Sequence, residues 1–150
     1  MEVISDFKEL LGLLNAKKVE YLIVGGYATA FHGAPRFTGD LEIYVKPEKR
    51  NAESLLEALD ESGFGSLAIE ESDFERADSV VQLGVPPVRI DIMTSISGVE
   101  WREARSGAVK GDYGGVSVNF IGRDELIRNK RSVGRKQDLA DVEALEAIGR

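Results

Sequence analysis

Apolar residues recur along this chain with two different periods, and the period changes several times. Phe7, Leu10, Leu11 and Leu14 fall three to four positions apart, which predicts a helix over 4–16. Residues 21–24 form a short apolar run with strand character. Gly25 and Gly26 interrupt it, and 27–32 reads as a short helix closed by Gly33-Ala34-Pro35. Residues 41–45 alternate as a strand. Leucines at 55, 56 and 59 place a helix over 49–62, with Gly63 as its stop. Strands are predicted over 79–85 and 88–93, joined at Pro86-Pro87, and again over 108–113 and 116–120, joined at Gly114-Gly115. Helices over 124–131 and 136–148, broken at Gly134, close the pattern. Residues 65–78 carry no clear period. No repeat, low-complexity tract or linker divides the sequence, so residues 1–150 are expected to form one domain. The interleaving of strands and helices predicts a layered α/β or α+β fold.

Polar residues inside the strand patterns are the first hint of chemistry. On a strand, alternate residues share a face, so Asp40, Glu42 and Tyr44 are expected on one side and Leu41, Ile43 and Val45 on the other. Two carboxylates roughly 7 Å apart along a strand can converge on one or two cations. Asp91 lies between Ile90 and Ile92, and an acid in so apolar a strand requires a partner or solvent. If its strand neighbours the first, the three acids line one patch, and a divalent cation would relieve their repulsion. The plainer reading is a salt bridge from Arg89 or Arg36.

Gly25-Gly26 at a strand-to-helix turn lets an anion approach the backbone, and a helix starting there directs free N–H groups at it. Arg36 and Thr38, just before Asp40, add candidate phosphate contacts. Arg123, Arg128, Lys130, Arg131, Arg135 and Lys136 form a cationic stretch near the end. A solvated helix face balanced by Asp138, Asp141, Glu143 and Glu146 would also account for that stretch. His32, at a helix end, is read as a packing or capping residue, and Tyr27, Trp101 and Tyr113 as packing.

Composition narrows the chemistry. With no cysteine and one histidine among 150 residues, thiolate nucleophiles, disulfides and multi-histidine zinc sites drop out. Any metal must be held by carboxylates, which selects a hard ion, Mg2+ or Mn2+. The absence of cysteine also leans toward a reducing, cytoplasmic setting. The formal charge of −7, from 19 basic and 26 acidic residues, argues against broad nucleic-acid binding. No apolar run approaches the ~20 residues of a membrane span, and the first six residues lack the features of an export signal.

Taken in order, these motifs resemble the polymerase β-type nucleotidyltransferase signature: Val24-Gly25-Gly26, then Asp40-Leu41-Glu42-Ile43, then Ile90-Asp91-Ile92. Arg36-Phe37-Thr38-Gly39-Asp40-Leu41-Glu42 and the segment from Lys130 to Asp141 further resemble the AbiEii-like toxin and minimal nucleotidyltransferase branch. The resemblance implies an α+β fold with a mixed central sheet flanked by helices. It implies transfer of a nucleoside monophosphate from a nucleoside triphosphate to a hydroxyl-type acceptor, with Asp40, Glu42 and Asp91 as metal-binding and catalytic acids. Gly25, Gly26, Arg36, Thr38, Lys130 and Asp138 would meet the nucleotide. The family usually has Asp at the second acid, and Glu42 moves that carboxylate by about 1.5 Å, one C–C bond. Three functions therefore stay open. One is a nucleotidyltransferase acting on a small molecule, a protein or an RNA end. Another is a weakly active or silent nucleotide-binding module of the toxin–antitoxin type. The third is a metal-dependent phosphohydrolase. The short chain leaves room for a small acceptor, or for a protein partner or second copy that completes the site.

Overall fold

A computed structural model describes residues 3–34, 39–64 and 69–148. The elements run α1 (Ser5–Ala16), β1 (Tyr21–Val24), α2 (Gly25–Phe31), β2 (Leu41–Val45), α3 (Lys49–Ser62), a 3-10 turn over Glu71–Phe74, β3 (Val80–Val85) and β4 (Val88–Met93). They continue with α4 (Trp101–Ser106), β5 (Val109–Tyr113), β6 (Val116–Phe120), α5 (Arg123–Val133) and α6 (Lys136–Ile148). The six strands form one mixed sheet in the order β3-β4-β2-β1-β6-β5. β2 runs antiparallel to β1 and parallel to β4, while β6 runs parallel to β1. This is the α+β architecture expected from the sequence.

Each helix earlier read from its apolar period buries that face. Phe7, Leu10, Leu11 and Leu14 of α1 are fully buried, and α1 packs against α3 and β6. Burial of each such side chain is worth about 1.5–3 kcal/mol. β1 is buried on both faces, as a central strand must be. Buried Asn51 on α3 ties the layers together: it accepts from the Glu20 amide and donates to the carbonyls of Glu20 and Lys46. A buried amide with these partners costs little and fixes the register of helix on sheet. The β5–β6 hairpin turns at Gly114-Gly115, both in the left-handed region, with Tyr113 paired to Val116. That is the glycine requirement of a tight two-residue turn.

Three details depart from the sequence reading. α2 begins at Gly25, not at Tyr27, because a φ of +65° at Gly25 lets the chain turn straight from strand into helix. α4 was not foreseen: it is six residues long, buries only Ala104, and is started by a capping box between Glu100 and Glu103. Tyr44 does not share an open face with Glu42. It is buried edge-on against Trp101, with ring centroids 5.1 Å apart, which leaves Glu42 as the one residue of β2 not fully enclosed.

Candidate functional site

The strand order brings two of the predicted acids side by side. β2 lies between β4 and β1, so Glu42 is in register with Asp91 on one side and Val24 on the other. Neighbouring strands are about 4.8 Å apart, and in-register residues point to the same face. Asp40 precedes β2 and joins this patch through Arg89. The Arg89 guanidinium donates from Nε to Asp91 Oδ1 at 3.0 Å and from Nη2 to Asp91 Oδ2 at 3.3 Å, and its Nε lies 3.8 Å from Asp40 Oδ2. The salt bridge anticipated for Asp91 therefore exists, and Arg89 supplies it.

Glu42 turns the other way. Its carboxylate accepts a hydrogen bond from the backbone N–H of Gly26 and lies directly over Gly25, where any Cβ would collide with it. Val24, the residue before α2, offers no side-chain cap, so this carboxylate serves one of the free amides at the helix start. Burial pushes the Glu42 carboxyl above its ordinary value. The Gly26 N–H opposes that push, Asp91 adds to it, and Lys130 and Arg135 pull it back down.

The glycine turn and Glu42 open onto a cleft of about 480 Å³, closed on its far side by Lys130, Arg135, Asn129 and Asp138. That volume suits a small-molecule site. Lys130 is 4% exposed, with Nζ 2.8 Å from Asp141 Oδ2 and 3.8 Å from Asp138 Oδ1. Arg135 holds Asp138 through its backbone amide, Nε and Nη2, and Gln137 holds the second oxygen of Asp141. Burial pushes Asp138 up, but Arg135 and Lys130 outweigh it and leave the carboxyl below its ordinary value. A larger hollow of about 920 Å³ lies along the edge strand β3, lined largely by valines and prolines. It contains none of the predicted acids.

Gly25, Glu42, Lys130 and Asp138 thus gather at one cleft, with Gly26 buried behind the turn, and Asp40 and Asp91 gather around Arg89. Arg36 and Thr38 fall outside the described residues. The rest of the predicted cationic stretch is mostly engaged in structure. Arg131 pairs with Glu146, Arg128 with Glu103, and Arg123 with Asp124 and the Leu145 carbonyl. His32 contacts the Ile121 carbonyl through Nε2, as a packing residue would. Sequence reasoning missed Ser95, Ser97 and Asn129 as cleft residues. Their signal was positional: Ser95 and Ser97 follow the carboxyl end of β4, and Asn129 adjoins Lys130.

The donor set suits a hard cation in kind, since every acid here offers carboxylate oxygens. Among the described residues, no three such side chains stand close enough to hold a metal ion as they lie. The geometry explains this: Arg89 has taken Asp91, and the Gly26 amide has taken Glu42.

No protein-family model matches this sequence, and no curated protein matches it at a significant level. Solved structures do. The lincosamide antibiotic adenylyltransferase LnuA, with lincomycin bound, superposes with a TM-score of 0.64 at 12% identity, covering 98% of this chain and 99% of that one. ANT(2")-Ia, in complex with adenylyl-2"-tobramycin, gives 0.64 at 13% identity, over 97% of this chain and 88% of that one. An antigenic nucleotidyltransferase-like protein from Paracoccidioides brasiliensis gives 0.58 at 17% identity, over 97% and 78%. A six-stranded mixed sheet with this strand order, matched across nearly the whole chain, identifies the architecture: the chain has the nucleotidyltransferase fold of the polymerase β type.

Proposed function

We propose that this chain is a metal-dependent nucleotidyltransferase that moves a nucleoside monophosphate from a nucleoside triphosphate to a hydroxyl-type acceptor and releases pyrophosphate. The observation that carries this reading is the position of Glu42. It joins two half-sites, being in register with Asp91 on β4 and seated over the Gly25-Gly26 turn at the mouth of a cationic cleft.

In this reading the Gly26 amide and Lys130 bind phosphate oxygens. Lys130 suits the task because Asp141 and Asp138 hold its ammonium in one place inside the fold. Asp40, Glu42 and Asp91 would hold Mg2+ or Mn2+, which supplies charge neutralisation and a Lewis acid for phosphoryl chemistry. Asp91, on the strand facing away from the glycine turn, is the group placed to orient an acceptor hydroxyl and take its proton. Attack on the α-phosphorus forms the new P–O bond as the bond to the leaving pyrophosphate breaks. LnuA, bound to lincomycin, spans almost the same extent of fold. That supports a small hydroxylated acceptor.

A second reading is favoured by a specific feature. The Glu42 carboxylate occupies the Gly26 amide and Arg89 occupies Asp91. Both contacts suit a weakly active or silent nucleotide-binding module of the toxin–antitoxin type. Pyrophosphate release separates the two readings. The purified chain, given each ribonucleoside triphosphate, Mg2+ or Mn2+ and a panel of hydroxylated small molecules, is expected to release pyrophosphate with at least one pair. Asp91→Asn should abolish that release. Metal-dependent nucleotide binding without pyrophosphate from any pair would decide for the silent module, and release of orthophosphate alone for a phosphohydrolase.

A further inference from the structure

Arg89 stands two residues before Asp91 on β4, so the two side chains share a face. Its guanidinium engages both oxygens of Asp91 and reaches Asp40 at 3.8 Å. The hydrogen bond it donates to Asp91 acts on it most strongly, and the charges of Asp91, Asp40 and Glu42 add to that, making Arg89 a firmer cation than a free arginine. All three predicted metal acids thus converge electrostatically on one protein cation. The Asp91 side chain is 14% exposed, so water screens this pair only in part.

The fork geometry has a consequence for metal uptake. A bidentate guanidinium fixes a carboxylate in position and in plane. Mg2+ demands oxygens at about 2.0–2.1 Å in near-octahedral array. A guanidinium and a divalent ion on the same carboxylate would repel each other across a few ångströms of a poorly screened site. Glu42 lies outside the fork, turned toward Gly25, and Asp40 meets only its edge, at 3.8 Å.

We propose that Arg89 is a resident counter-ion that occupies Asp91 in place of a second divalent cation, so that the chain takes up one ion with its nucleotide and admits another only when Arg89 leaves Asp91. Arg89 acts through Asp91 and is in that sense a positioning residue. The inference rests on the nucleotidyltransferase reading of this site and adds to it a metal stoichiometry.

Counting bound Mn2+ by electron paramagnetic resonance tests it directly. The chain is saturated with a non-hydrolysable α,β-methylene ATP and titrated with Mn2+. One ion is expected for the unaltered chain and two for Arg89→Ala, the second revealed by broadening from ion–ion coupling. Arg89→Gln, closer in size, should behave like Arg89→Ala and guards against a folding defect. Thermal melting gives an independent readout: without its guanidinium the acid cluster repels itself, so Mn2+ should raise the melting temperature of both variants more than that of the parent. Two ions in the unaltered chain, or one ion in parent and variants alike, overturn the role of Arg89 and leave the transferase reading standing. No ion and no nucleotide bound by any form overturns the transferase reading itself, and this inference with it.

Discussion

Shortening Glu42 by one methylene separates its two attachments. In Glu42→Asp the carboxylate retracts by about 1.5 Å, too far to keep both its place over Gly25 and its bond to the Gly26 amide. A hydrogen bond to a charged group is worth about 1.5–3 kcal/mol. Part of that loss is offset, because burial already disfavours the Glu42 charge and a retracted carboxylate is less enclosed. The net expectation is a fold weaker by about 1 kcal/mol, a melting temperature lower by about 2–4 °C for a domain of this size. Nucleotide binding should move the opposite way. A triphosphate entering the cleft must displace Glu42 from the Gly26 amide, and the Asp variant removes that competitor. Relief of about 1.4 kcal/mol is tenfold in affinity. Calorimetry with Mg2+ and a non-hydrolysable ATP analogue, paired with differential scanning, reads both quantities. A folded Glu42→Asp that binds the analogue no more tightly than the parent refutes the idea that Glu42 guards the amide.

Gly25→Ala should destabilise by at least about 1–2 kcal/mol, the cost of a side chain in the left-handed region, and should weaken nucleotide binding by placing a methyl group where phosphate approaches the backbone; urea unfolding and calorimetry check the two effects. Lys130→Met leaves Asp138 and Asp141 buried without their common cation and should cost about 3–5 kcal/mol in urea unfolding, most of it recovered in Lys130→Met combined with Asp141→Leu. Stability should depend on pH through two groups of opposite sign. Glu42, held above its ordinary 4.5, binds its proton more tightly folded than unfolded, so it subtracts stability as pH rises through its raised value. Asp138, held below its ordinary 3.8, adds stability that is full above that value and lost as pH falls through its lowered one. Unfolding free energies measured across the acid range should show Glu42→Gln gaining on the parent above pH 4.5; parallel curves would show that Glu42 is not the group responsible.

Much of this was legible in the sequence because it follows from short-range periodicity. Asp40, Glu42 and Asp91 stand out against Leu41, Ile43, Ile90 and Ile92 by alternation alone, and Arg89 is visible as the same-face neighbour of Asp91. The pairing of β2 with β4 was a condition in the sequence and a fact only in the fold, because sheet order depends on contacts distant along the chain. The turn of Glu42 toward Gly26 needed more still: the antiparallel register that sets Glu42 against Val24, and one rotamer choice within it. Alternation put Tyr44 on the face of Glu42 but could not show that Trp101, on the unforeseen α4, covers it. The cationic stretch divides between its two readings: Arg123, Arg128 and Arg131 pair with acids as a balanced face does, while Lys130 and Arg135 reach the cleft.

The central claim is that Asp40, Glu42 and Asp91 hold a cation for a triphosphate lying in the cleft of Gly25 and Lys130. Isothermal titration of the four ribonucleoside triphosphates, with and without Mg2+, against the parent chain and Asp40→Ala tests it most directly. The account predicts Mg2+-dependent binding of at least one triphosphate and its loss in a folded Asp40→Ala. Binding that ignores Mg2+, or that survives Asp40→Ala unchanged, would contradict it.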